Sequence, residues 1–222
     1  MAANNFAVTK MRAWTFRSRG PVASVLKLES DFPAPAAPTG SNVLIKISHS
    51  AFTPSSANLI AMIPSAPFLA RPYIPELDFA GIVAIAGPDA PATLVPGARV
   101  FGSVPPPDFA LRGKGSMAEY VVVPASEVAL LPAAEGFGLA EASGLNGNGQ
   151  TAVLMIRNAK VGKGSRVFVN GGSGGVGSLV VQIAKTKGAY VVATGSGENA
   201  ALVKELGADE VCVLGPIYEV SH

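Results

Sequence analysis

The sequence predicts an α/β protein: a β-rich first part, then the mononucleotide-binding half of a doubly wound parallel sheet. Three observations predict it. Short β-type runs, each closed by Gly, Pro, Asn or Ser, recur up to residue 131. Prolines crowd 33–38, 64–75 and 105–107, all ahead of residue 137, where the pattern becomes regular. From residue 166 onward, strand, helix, strand, helix and strand alternate as βαβαβ. These observations divide the chain into a β-rich domain over 1–136 and a partial doubly wound domain over 137–222.

In the first domain the β runs are Met11–Phe16, Val25–Glu29, Val43–Ser48, Phe79–Ala86, Arg99–Phe101, Met117–Val123 and Val128–Leu131. No periodic helix longer than about three turns interrupts them, so a compact all-β unit with proline-bearing loops is expected. Gly138–Gly144 and Gln150–Ala159 read as helices, with Ala, Leu and Met prominent and no proline. Then come strand Arg166–Asn170, helix Gly175–Lys187, strand Tyr190–Thr194, helix Asn199–Leu206 and strand Glu210–Leu214. The runs at 167–169 and 191–193 are continuously apolar, as in parallel strands buried on both faces.

Composition narrows the function. A formal charge of +2, with no Lys/Arg block, argues against nucleic acid. No apolar run approaches the roughly 20 residues of a membrane span. The single cysteine, Cys212, excludes an internal disulfide and any multi-thiolate zinc site. His49 and His222, the two histidines, cannot form a metal motif at helical spacing. Residues 1–28 hold five Lys/Arg and no acid, in the manner of a presequence, but Met11–Phe16 already reads as a strand and leaves too little sequence for one. A cytoplasmic protein is expected.

The chemistry lies in Gly172-Ser173-Gly174-Gly175-Val176-Gly177, a G-x-G-x-x-G that follows one strand and opens a helix. In that context Gly172 is expected to permit the tight turn and Gly174 to let the backbone approach a pyrophosphate. Gly177 is expected to let the helix pack on the strand. Amides at the positive end of the helix would hold the phosphates. NAD-binding versions carry an acid at the end of the second strand, where this chain has Thr194-Gly195-Ser196. That favours NADP, with room for a 2′-phosphate. Glu198, two residues on, reads either as a first-turn acid favoured by the helix dipole or as a ribose acceptor that would select NAD.

Together with Pro75–Gly81 (PELDFAG), Pro96–Gly102 (PGARVFG), Gly115–Tyr120 (GSMAEY), Gly149–Ala152 (GQTA) and Leu206–Val211 (LGADEV), the stretch Val169–Gly177 resembles the medium-chain dehydrogenase/reductase superfamily. Within it the likeness is to the zinc-free quinone oxidoreductase and enoyl reductase branch, which includes zeta-crystallin-like and reticulon-4-interacting-protein-like relatives. The resemblance implies a GroES-like β domain followed by a Rossmann domain, NADPH as cofactor and no zinc. It places Thr151 beside the nicotinamide, Gly174, Gly175, Val176 and Gly177 around the pyrophosphate, and Ser196 facing the adenosine ribose phosphate; Gly172 and Ser173 of the glycine motif complete the expected cofactor-binding set.

Some positions depart from the family. Thr53-Pro54-Ser55-Ser56 stands where Asn-Pro-x-Asp is common, and Glu198 where a basic residue is common. Zinc-dependent relatives use a Cys and a Gly-His-Glu motif, and the corresponding Pro75-Glu76-Leu77-Asp78 has neither ligand. After the third strand of the second domain the chain reads Gly215–His222 and stops, short of the second half of the Rossmann sheet. An exposed sheet edge and uncovered apolar surface are therefore expected, which argues against a family-type dimer.

The resemblance implies hydride transfer to a quinone, or to the β-carbon of an enone or enoyl thioester, with donors stabilising charge on the carbonyl oxygen. A role in secondary metabolism accords with the fungal enoyl reductases in that branch. The rival is a non-catalytic nucleotide-binding or interaction module derived from the same family. No proton donor is assigned. Tyr73 reads as a packed loop tyrosine, His49 as a satisfied structural histidine and Tyr120 as core. Cys212 reads as a buried small hydrophobe, and Asp78 as a turn or cap residue.

Overall fold

The computed structural model describes residues 8–62, 72–134 and 136–214. Pro64, Pro67, the closing run 215–222 and its His222 lie outside the described residues. The chain divides into two compact units, Met1–Asn146 and Gly147–His222. No helix among the described residues is long and apolar enough to cross a membrane.

In the first unit, β1 (Lys10–Thr15) alternates exposed and buried residues, as a strand with one wet face should. It pairs antiparallel with β2 (Lys27–Pro33) across a short helical turn, α1 (Val22–Val25). A five-stranded antiparallel sheet follows. It is built from β3 (Asn42–Ser50), β4 (Asp78–Ala86), β5 (Arg99–Ser103), β6 (Tyr120–Pro124) and β7 (Val128–Leu130), in the order β6-β3-β4-β5-β7. Val43, Ile45, Phe79, Val83, Val100, Val121 and Val123 fill its core. Burying each of these side chains stabilises the fold by about 1.5–3 kcal/mol.

This unit is not all-β. Helices α2 (Pro54–Met62) and α3 (Pro106–Arg112) interrupt it, and α4 (Leu139–Ala142) closes it. Pro54 and Pro106 open their helices, where the missing N–H costs nothing and the ring presets φ. Pro106, in the 105–107 cluster that read as part of a proline-bearing loop, is thus a helix start. Met117–Glu119, expected in a strand, belongs to a turn that touches β1 through the Ala13–Ala118 bridge. The aromatic rings of Phe16, Tyr73 and Phe109 pack together, with centroids 5.6 and 5.7 Å apart along the row.

The second unit contains most of α5 (Leu145–Asn158), then β8 (Arg166–Val169), α6 (Gly175–Thr186), β9 (Tyr190–Ser196), α7 (Ala200–Glu205) and β10 (Glu210–Leu214). Its three strands form a parallel sheet in the order β10-β9-β8, the βαβαβ arrangement of a Rossmann half. Val169, Val180, Val181, Ala184, Val191, Ala193 and Val203 form the core between strands and helices. Asp209 fastens the return into β10: its carboxylate accepts from Lys185 Nζ at 2.8 Å and from the Val191 N–H at 2.6 Å.

Burial on both faces holds for β9 and fails for β8, where Phe168 is 65% exposed. Among the described residues β8 is an edge strand of this sheet, which leaves the Phe168 ring exposed. Cys212 is likewise exposed rather than buried, because β10 forms the opposite edge.

Candidate functional site

The loop between β8 and α6 is built from backbone geometry. Gly171 holds a left-handed φ of +75°, so it, and not Gly172, makes the tight turn. Gly172 is kept small for space, since a Cβ there would lie 2.9 Å from the Ala193 methyl and 3.0 Å from Val203. A Cβ at Gly177 would stand 2.1 Å from the Gly171 carbonyl oxygen, so α6 can begin this close to the loop only with glycine there. At Gly174 the nearest such atom is that same oxygen, 3.3 Å away.

Thr194, two residues before the end of β9, braces this loop. Its Oγ1 accepts from Gly171 N at 2.8 Å and donates to Asn170 Oδ1 at 2.7 Å, while its carbonyl accepts from Gly172 N at 2.7 Å. Sequence reasoning placed Thr194 only as a neighbour of Ser196. Its bracing role could be suspected from a hydroxyl residue ending an apolar strand. No side chain caps α6 and no acid lies in its first turn, so the positive end of the helix is open to an anion. A pyrophosphate fits that chemistry.

The other predicted cofactor residues are placed around this unit. Thr151 is exposed on α5 and donates its hydroxyl to Gly147 O at 2.8 Å. Asn148, on the same helix and not singled out from sequence, lies against the loop: a Cβ on Gly175 would be 2.9 Å from its Nδ2. Ser196 is the exposed last residue of β9, and its Oγ accepts from Asn199 Nδ2 at 2.9 Å. Glu198 sits in the 3-10 turn Gly197–Asn199 that follows.

The first unit holds a separate polar cluster. The register of β3 against β4 slips between Ile47 and His49, bulging Ser48, and the strand then delivers Ser50 to Ser116. Their hydroxyls lie 2.7 Å apart, and both donate to the Asp78 carbonyl, at 3.1 and 2.9 Å. Asp78 opens β4 rather than capping a turn. Two residues before it, Glu76 is 4% exposed and holds a φ of +65°, a conformation that L side chains rarely adopt. Its Oε1 accepts from Thr53 N at 2.8 Å, and its Oε2 lies 3.5 Å from Thr53 Oγ1. Thr53 Oγ1 in turn lies 2.9 Å from Ser55 Oγ and 3.1 Å from Ser56 Oγ. Burial raises the Glu76 carboxyl above its ordinary value, against the Thr53 and Ser56 hydrogen bonds that lower it, and the charge of Asp78 adds to the rise. Sequence reasoning missed Glu76. An acid inside an apolar, proline-led segment was its only signal.

The remaining candidates resolve simply. Tyr73 is buried and donates its hydroxyl to Ala110 O at 3.2 Å, which makes it a packed tyrosine. His49 is exposed after the bulge, so it is not an interior structural histidine. Tyr120 is half-buried and lines an apolar cavity of about 340 Å³ with Met11, Phe32, Pro35, Ile74 and Val122. Among the described residues no three His, Cys, Asp or Glu side chains cluster as a metal ion would require.

Residues 39–133 match the alcohol dehydrogenase GroES-like domain. The chain is 36% identical over 219 residues to a medium chain reductase of an Acremonium species, covering 90% of this chain and 60% of that one. It is 37% identical over 205 residues to a chloroplastic NADPH-dependent alkenal/one oxidoreductase of Arabidopsis thaliana, covering 90% and 51%. Among solved structures it resembles the quinone oxidoreductase from Coxiella burnetii with a TM-score of 0.78 and 30% identity, covering 91% and 62%. The chain thus spans between 51% and 62% of the length of these relatives. A GroES-like sheet, a glycine turn between a Rossmann strand and helix, and these likenesses agree: the chain belongs to the medium-chain dehydrogenase/reductase superfamily, among its quinone oxidoreductase-like and enoyl reductase-like members.

Proposed function

We propose that the chain works in an NADPH-dependent, zinc-independent oxidoreductase that reduces a quinone or an activated carbon–carbon double bond. The observation that carries the reading is the loop Gly171–Gly177, braced by Thr194 and opening onto an uncapped helix end. NADPH, when bound, supplies the hydride. The amides of Gly175, Val176 and Gly177 hold the pyrophosphate, and Thr151 steadies the nicotinamide end. Ser196 leaves room for a 2′-phosphate where a carboxylate would repel it. The NADPH-dependent alkenal/one oxidoreductase among the relatives supports both the cofactor and the substrate class. Zinc independence is supported by Pro75-Glu76-Leu77-Asp78, which offers neither thiolate nor imidazole.

The chain's own contribution is positioning and fixed dipoles, which suffice for hydride transfer to a polarised acceptor. The test is titration calorimetry of NADPH and NADH on the folded chain. NADPH should bind near micromolar, about −8 kcal/mol, with NADH at least about tenfold weaker, or 1.4 kcal/mol. Folded protein that binds neither cofactor would rule the reading out.

A further inference from the structure

Resting on the reductase reading above, we propose that Asn170 is a further cofactor-binding residue, whose side-chain amide donates to a pyrophosphate oxygen of the bound dinucleotide. Asn170 links β8 to the glycine turn and is exposed at the carboxyl end of that strand. In open α/β sheets dinucleotides lie just outside those strand ends. The hydrogen bonds around Asn170 fix which way its amide faces. Thr194 has one hydroxyl proton. Its Oγ1 accepts from Gly171 N at 2.8 Å, so that proton goes to Asn170 Oδ1, 2.7 Å away. The reversed amide would set Nδ2 against Oγ1 and deprive the hydroxyl proton of this acceptor. With Oδ1 held by Thr194, both N–H donors of the amide are directed away from the brace.

A brace alone has no need of an amide. A carboxylate of the same size accepts from Thr194 equally well, so what asparagine adds is a pair of donors and no charge. That pair matters because residues 170–178 contain no Lys or Arg. A pyrophosphate carried by this segment meets only backbone N–H groups, side-chain donors and the dipole of α6, whose first turn holds no acid. A donor aimed at a charged oxygen makes a stronger bond than one aimed at a neutral oxygen. Asn170, Gly171, Thr194 and α6 all belong to the second unit, so the arrangement is complete within it.

Asn170→Asp separates bracing from binding, because it keeps an oxygen for the Thr194 hydroxyl and removes both donors. On the full chain at neutral pH it should leave the thermal midpoint unchanged and weaken NADPH and NADH alike, each by about tenfold or more, in titration calorimetry. Asn170→Ala, which also loses the acceptor, should lower the midpoint as well. Equal losses mark the pyrophosphate, which the two cofactors share. A loss confined to NADPH would put Asn170 at the 2′-phosphate and overturn the proposal. A second readout needs no variant: the Asn170 side-chain amide pair in the nitrogen-15 NMR spectrum should shift on adding NADPH and on adding inorganic pyrophosphate. If the wild-type chain binds NADPH and that pair stays in place, or if folded Asn170→Asp binds NADPH as the wild type does, the proposal is overturned. A folded wild-type chain that binds neither cofactor instead overturns the reductase reading on which it rests.

Discussion

At the scale of single residues, the cofactor loop tolerates almost no added atoms. Gly177→Ala places a methyl 2.1 Å from the Gly171 carbonyl, so α6 must retreat from the loop. We expect a stability loss of about 1–3 kcal/mol by thermal unfolding, and loss of measurable NADPH affinity by calorimetry. Ser196→Asp sets a carboxylate at the position assigned to the ribose phosphate. It should weaken NADPH binding while leaving NADH binding equal or better, and parallel titrations would show the reversal. Asp209 yields a prediction about pH. The Lys185 ammonium and the Val191 N–H hold its carboxyl below the ordinary value of 3.8. Its contribution is therefore complete above 3.8 and lost as pH falls through the lower folded value. Asp209→Asn should destabilise the second unit at neutral pH and flatten its stability curve on the acid side, as measured by denaturant titration across pH.

At the scale of elements, the aromatic row of Phe16, Tyr73 and Phe109 joins three segments far apart in sequence. Phe16→Ala should cost about 3–5 kcal/mol of first-unit stability, read from the urea midpoint, because Phe16 is 2% exposed in a cluster with Ile60, Tyr73 and Phe109. Elements set by local pattern were legible in the sequence. The apolar run of β9 and the glycine turn before α6 needed only neighbours within a few residues. Elements set by pairing or by a proline start were not. Pro106 looked like a loop residue because its helix, of 7 residues, is too short to show a period. Strand β2 runs on to Pro33 because Lys10 stands opposite it, a fact of partnership rather than of local sequence. The candidate site divides in the same way. Its glycines were legible from spacing, whereas the Thr194 brace and the buried Glu76 depend on what the fold brings alongside them.

At the scale of the molecule, β8 is an edge strand of the second unit's sheet among the described residues. Phe168 is 65% exposed on β8, and Val153, Leu154 and Met155 on α5 are each more than half exposed. An edge strand and exposed apolar side chains are each a template for association with another chain. The chain should therefore self-associate as concentration rises, and Phe168→Lys should shift sedimentation velocity profiles toward the monomer without loss of NADPH binding. An unchanged profile would show that another surface drives association. The opposite edge offers a tool rather than a hazard. The chain's one thiol, Cys212, is exposed on β10 directly across from Thr194, the residue that braces the phosphate loop. A maleimide fluorophore would thus attach at a single place beside that brace. Its emission would follow loop ordering in real time, giving an optical stopped-flow signal for cofactor arrival without any turnover.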